Sequence, residues 1–276
     1  MNWNRAKTIL IIFFICTNLF LLTTILLSAS KTSIVTDDII ASTTMILKNN
    51  RIEIDPKIIP RRTQPAAMAE AENLIDNYES FSKRFVGDDA AVLEQNVYEG
   101  SKGKMFFSGD RFSFAAKEPQ FSDLTKNLNE SNIKQAAANI LKNYGIEDSA
   151  LEFEILGDGE YEVIVTKQKN DLQIFSSRLK LTMSQKGLTK VSGSWFFDKG
   201  TLKNKYTIKS VTGVLIDYIS VANRPTTDEK ITAVTLGYYV PDEGILHKDT
   251  LLVPCWKITL EDGGEYILNA VENGND

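Results

Sequence analysis

From Thr8 through Ser30 the chain carries no charged residue, and no other feature of its 276 residues constrains the fold as strongly. A helix rises about 1.5 Å per residue, so this run reaches roughly 35 Å, enough to cross a hydrocarbon core about 30 Å thick. Secretory signals have apolar cores of about 7 to 15 residues, so although Ser28-Ala29-Ser30 imitates a cleavage site, the run is too long for one. Cys16 follows Phe14-Ile15 and lacks the small residues that a lipidation signal needs before its cysteine. Arg5 and Lys7 sit on the short N-terminal side, which predicts a cytoplasmic N-terminus, a single-pass anchor in the cell membrane and an exported remainder from Lys31 to Asp276.

Removing Arg5 and Lys7 from the 31 basic residues leaves 29 against 36 acidic ones, a net charge of −7 for that remainder. This argues against a nucleic-acid partner. Cys16 lies in the apolar run and Cys255 in a strand-like one, so no disulfide framework forms and the remainder must be held by its core.

Periodicity then sets the fold class. Ala67, Ala71, Leu74, Ile75 and Tyr78 share one helical face. Ile133, Ala136, Ala137, Ile140, Leu141 and Tyr144 share another, and Val211, Val214, Leu215, Tyr218, Ile219 and Ala222 repeat that second spacing position for position. Asn132 and Gln135 are placed for a capping box, and Gly145 for a left-handed close.

Strands follow the helices. "LEFEILGDGEYEVIV" and "WKITLEDGGEYILNA" each alternate about a glycine-bearing turn, and "GKMFFSGDRFSF" is a third hairpin. "LQIFSSRLKLTM", "KVSGSWFF" and "ITAVTLGYYV" read as strands between them. The expected fold class is α+β: an N-terminal transmembrane helix followed by modules of helices on antiparallel sheet. The expected divisions are an anchor over 1–30, a weakly structured stalk and first module over 31–125, and a second module over 126–276. In the stalk, Ile52 and Ile54 before Pro56 read as a short edge strand.

The search for catalysis finds little. His247 is the one histidine, in a loop-like stretch, and Cys255 sits between Pro254 and Trp256 in an apolar run, where cysteine behaves as a small hydrophobe. Asp88-Asp89, Glu152 with Glu154, and Asp242-Glu243 read as solvated pairs, although two distant carboxylates facing across a cleft would serve a glycosidase. Asn129-Glu130-Ser131 matches a glycosylation acceptor but is sufficiently explained as the lead-in to a capped helix. No catalytic residue, cofactor or metal ligand is assigned. Tyr238, Tyr239 and Trp256 are first of all packing residues; with one ring of an adjacent pair pointing away from the core, they also suggest a groove for a partner.

The short "MNWNRAKT", the helix "ILIIFFICTNLFLL", the segment "NNRIEIDPKIIP" and the ending "ITAVTLGYYVPDEG…LLVPCWKITLEDGGEYILNA" together resemble the YycI family. The resemblance implies a non-enzymatic, membrane-anchored regulator of the essential WalK (YycG) sensor histidine kinase, which controls cell-wall metabolism. It also implies a YycH-type partner, contacts between transmembrane helices, and an exported α+β fold related to YycH. Within the apolar run, Asn18 lies near the midpoint, and Phe14, Leu21, Leu22 and Ile25 share its face at i−4, i+3, i+4 and i+7. That face is expected to meet partner helices, since interhelical amide bonds are worth about 0.6 to 2 kcal/mol; the alternative is that Asn18, like Thr17, Thr23 and Thr24, bonds back to its own helix. The competing functions are an exported ligand-binding or chaperone-like module and a wall-active enzyme.

Overall fold

The structure, a computed structural model, describes residues 3–29, 33–63, 65–74, 77–129, 131–146, 151–156, 160–221, 227–241 and 249–272; the side chains of 4–6, 8–9, 24–29, 33, 151–156, 160 and 203–205 also lie outside the description.

In chain order, α1 (Trp3–Ala29) leads through β1 (Ser33–Ile34) to α2 (Asp37–Asn49), β2 (Ile52–Ile54), a 3-10 turn over Pro56–Ile58, β3 (Arg62–Thr63) and β4 (Ala66–Glu72). Then come α3 (Tyr78–Val86), β5 (Ala91–Glu94), β6 (Val97–Glu99), β7 (Gly103–Ser108), β8 (Arg111–Gln120), α4 (Ser122–Thr125) and α5 (Ile133–Asn143). The rest is β9 (Leu151–Leu156), β10 (Glu160–Lys169), β11 (Leu172–Ser184), β12 (Gly187–Ser194), β13 (Phe197–Tyr206), α6 (Val211–Val221), β14 (Glu229–Tyr239), β15 (Asp249–Leu260) and β16 (Glu265–Asn269). The class is α+β, with few helices against a large sheet in which nearly every pairing is antiparallel.

The hairpins form where the turn glycines place them. Gly109, at φ 59°, turns β7 into β8, and Gly263, at φ 89°, turns β15 into β16. β9 pairs with β10 as expected, and the turn residues 157–159 lie outside the described residues. The helix over Ile133–Asn143 buries its whole expected stripe and is closed by Gly145 at φ 70°. The capping box does not form: Asn132 Oδ1 accepts from the Asn129 N–H at 2.9 Å, and Gln135 donates along the helix to Asn139. In α6, Val211, Val214, Leu215 and Tyr218 are buried as expected, while Ala222 lies outside the described residues.

Two expectations are corrected. Ala67 and Ala71 belong to a strand, β4, and a helix, α3, begins only at Tyr78. The alanines that satisfy helical spacing also satisfy alternation, and small side chains suit a strand flanked on both sides, by β13 and β15, under Phe196 and Tyr238. The stalk is also more ordered than expected, because α2 buries Ile40, Thr43 and Leu47 at i, i+3 and i+7. β2 is the expected edge strand, paired in parallel with β14 alone.

Among the described residues, the buried side chains gather into three clusters. The fully buried residues of one core lie between Leu74 and Trp195, with the half-buried Phe197 packed against them and α3 and α5 lying on β6, β7, β8, β12, β11 and β10. A second joins Val35–Ala66 to Ile208–Ala270, packing α2 and α6 on β2, β14, β15 and β16. The chain therefore builds an outer unit from its two ends and nests an inner unit in its middle. A third, small cluster, including Ala69, Ala71, Phe196, Tyr238 and Leu252, fills the seam. Two buried lysines of β10 hold the returning strand there: Lys167 Nζ donates to the Phe196 carbonyl at 3.1 Å, and Lys169 pairs with Asp198 and donates to the Gly200 carbonyl at 2.9 Å.

Candidate functional site

The feature that packing leaves unexplained is α1. Every described side chain from Leu10 to Thr23 is exposed, including Phe13, Phe14, Leu19 and Phe20, each above 60%. A helix that is apolar on all sides has no water-facing surface and calls for apolar surroundings, which the other described residues of this chain do not supply to Leu10–Thr23. The whole element, 27 residues, is about 40 Å long. Among the described residues, no helix is long and apolar enough to cross a membrane; the fully described side chains of α1 run only from Leu10 to Thr23, roughly 20 Å.

Along this stretch, Phe14, Asn18, Leu21 and Leu22 lie on one continuous helix and are exposed, while the side chain of Ile25 lies outside the described residues. Asn18 Nδ2 donates to the Phe14 carbonyl at 2.8 Å, Thr17 Oγ1 to the Phe13 carbonyl at 2.9 Å and Thr23 Oγ1 to the Phe20 carbonyl at 2.8 Å. The back-bonding alternative is thus the arrangement of the lone chain. It uses one of the two amide hydrogens of Asn18, and a primary amide also has a carbonyl oxygen to offer.

Close behind α1 in sequence, α2 forms one wall of an open groove of about 1020 Å³. Ala41, Thr44 and Met45 face it from α2, Ile52 and Ile54 from the edge strand β2, and Glu229 from β14. Its rim is ionic: Arg61 pairs with Asp37 at 2.5 Å and Lys230 with Glu261 at 2.5 Å. Beneath it, the Tyr218 hydroxyl donates to Glu229 at 2.6 Å, and burial, then this bond, pushes the phenol above its ordinary value. Sequence reasoning missed this groove because α2 was not legible as a helix.

The aromatic groove is corrected. Tyr238 and Trp256 are each 1% exposed and belong to different clusters; the Tyr238 hydroxyl donates to the Ala67 carbonyl at 3.1 Å and Trp256 Nε1 to the Lys209 carbonyl at 3.0 Å. Only Tyr239 is partly exposed. Both faces of the sheet are covered at this point, so alternation sends neither of the other two rings to solvent.

Of the residues weighed for catalysis, the side chains of Asp88, Asp89 and Cys255 are among those described. His247, Asp242 and Glu243 lie outside the described residues, as do the side chains of Glu152 and Glu154. Asp89 anchors a loop by accepting from the Ser101 N–H at 2.8 Å and hydroxyl at 2.9 Å, which holds its carboxyl below the ordinary range. Cys255 is fully buried on β15, and burial pushes its thiol well above the ordinary range, away from the thiolate a nucleophile needs. In the folded protein at pH 8 a maleimide is therefore expected to leave Cys255 unmodified while labelling it in denaturant; mass spectrometry of the peptide containing residue 255 reads the outcome, and rapid native labelling would contradict it.

Comparison with known proteins places this geometry. The family model described as YycI protein matches residues 30–271. A crystal structure of an uncharacterized protein from Eubacterium rectale ATCC 33656 superposes with a TM-score of 0.50 at 11% identity, covering 82% of this chain and 84% of that one, a likeness of fold. The crystal structure of YycH from Bacillus subtilis aligns with a TM-score of 0.47 at 10% identity, over 75% of this chain and 54% of that one. No curated protein matches the chain.

Proposed function

The chain belongs to the YycI family, and from that premise we propose that it is a non-enzymatic, membrane-anchored regulator of a WalK (YycG)-type sensor histidine kinase, acting beside a YycH-type partner. In this reading α1 spans the membrane with its N-terminus in the cytoplasm, and the nested α+β units stand outside. The observation that carries it is the exposure of α1 on all sides, together with the uncharged run Thr8–Ser30 and the basic Arg5 and Lys7 before it. An apolar helix that the described residues of its own chain leave uncovered gains by burial in lipid and against other helices.

The face through Phe14, Asn18, Leu21 and Leu22, continued by Ile25 one turn on, is the contact surface. In a bilayer the amide of Asn18 can keep its bond to the Phe14 carbonyl and still offer a second hydrogen and its oxygen to a neighbouring helix. Exchanging Asn18→Leu keeps the length of α1, makes it more apolar and so keeps it fit for a bilayer, and removes the polar contact. The expected result is weaker co-purification with the kinase, by about threefold to tenfold for a bond of about 0.6 to 1.4 kcal/mol, with a parallel change in output of the kinase's target genes. Unchanged association and unchanged output would remove Asn18 from the mechanism.

A further inference from the structure

The helix layers of the two units differ on their outer faces. Every exposed residue of α3 and α5 is polar, among them Glu79, Ser80 and Arg84 on α3 and Lys134, Gln135 and Lys142 on α5. On the outer unit, α2 exposes Ile39, Met45 and Ile46, and α6 exposes Ile216 and Val221, each by more than a third. Single apolar side chains on a surface are ordinary, but these fall together. Ile39 and Ile46, two turns apart, share one flank of α2. The opposite flank, with Asp37, Ala41, Thr44 and Lys48, lines the groove, and no residue of α6 does. Since α6 packs beside α2 over the same core, it lies on the side of Ile39 and Ile46.

The tie to α1 decides what can cover this layer. β1 pairs with β3, Val35 donates its N–H to the Arg61 carbonyl at 2.9 Å, and the Val35 side chain is buried in the outer core. The chain is thus fastened to the outer unit from β1 onward, and only residues 30–32 separate β1 from α1. Four steps along a backbone reach at most about 14 Å. A unit held that close to a spanning helix has the bilayer surface as its nearest neighbour, and α2 begins three residues after β1. Two carboxylates of the layer are already met within the chain, Asp37 by Arg61 and Asp217 by Lys209 at 2.7 Å, which lowers the cost of bringing them to the headgroups.

We infer that the outer surface of α2 and α6 rests on the lipid headgroups beside α1, with Ile39, Ile46 and Ile216 reaching the acyl-chain boundary. This rests on the reading in which α1 spans the membrane. Burial of exposed apolar surface drives the contact, as it does for interfacial helices. The experiment is electron paramagnetic resonance on the full chain in phosphatidylcholine nanodiscs, in a Cys16→Ser background. One nitroxide-labelled cysteine is introduced at a time: Ile39→Cys, Ile46→Cys or Ile216→Cys on this layer, Ser80→Cys or Gln135→Cys on the inner unit, and Leu19→Cys in α1. Collision of the label with oxygen, which concentrates in lipid, is compared with collision with a water-soluble nickel chelate. At positions 39, 46 and 216 oxygen is expected to dominate, with depths of about 5 to 10 Å into the interface, and at 80 and 135 the chelate. Leu19 keeps two failures apart. Oxygen dominance at 19 with chelate dominance at 39, 46 and 216 would overturn the inference and leave the spanning reading standing; chelate dominance at 19 would overturn both. Exclusion of both reagents at 39, 46 and 216 would mean that protein, such as a second copy of this chain, covers the layer, and would also overturn the inference.

Discussion

Replacing residues 1–29 with an unrelated single-pass helix of equal length is expected to abolish kinase regulation while leaving the protein anchored and its folded units intact. The physical basis is a separation of roles. The buried clusters run from Val35 to Ala270 and, among the described residues, include none of α1, so their stability is expected not to depend on which helix precedes them. Lipid covers any apolar helix equally well, but a helix–helix contact depends on which side chains occupy one face. Anchorage alone would survive the exchange; a face built on Phe14, Asn18, Leu21 and Leu22 would not. Kinase-dependent transcription in cells carrying the swapped chain, with membrane fractionation to confirm anchorage, reads the result. Full regulation by the swapped chain, or by a chain lacking residues 1–30, would move the mechanism into the folded units.

The second large effect concerns the inner unit. Phe85→Ala is expected to cost about 3 to 5 kcal/mol of stability. Phe85 is fully buried on α3 and stacks on Tyr144, just beyond α5, at 4.0 Å between ring centres, with Phe81 at 5.1 Å and Phe112 and Phe114 at 5.5 Å. It is the ring through which both helices share one core, and alanine would leave a cavity that four neighbouring aromatics are too rigid to close. The outer unit has its own core and is expected to hold more of its structure, so denaturant unfolding followed by aromatic and amide signals should separate into two transitions. A loss below about 1 kcal/mol would mean that the helices dock by another route.

These two cases mark where the sequence is legible. Hairpins such as β7–β8 and β15–β16 are written locally, because a glycine at positive φ and alternating neighbours suffice to specify them. The helices α5 and α6 are equally plain, since each carries an unbroken stripe. β4 was not, because its identity depends on β13 and β15, which lie far away in sequence and turn an alanine pattern compatible with either state into a strand. α2 was hidden by its β-branched residues and by a stripe of only three buried positions. The nesting of one unit inside the other rests on long-range pairings such as that of β2 with β14, which leave no local mark. For the site, the all-round apolar surface of α1 was legible from composition, whereas burial of Tyr238 and Trp256 was not, because covering both faces of a sheet is a tertiary fact.

The central claim is that one face of α1 touches the kinase within the membrane. It is tested most directly by placing a photo-crosslinking residue in turn at Phe14, Leu21 and Leu22, and at Ile12 and Phe20 on the opposite side of the helix, then irradiating intact membranes and identifying the products by mass spectrometry. The account predicts adducts to a transmembrane helix of the sensor kinase or of a YycH-type partner from positions 14, 21 and 22, and lipid adducts from 12 and 20. Equal yields of lipid adducts at all five positions, with no kinase or YycH-type peptide, would contradict it.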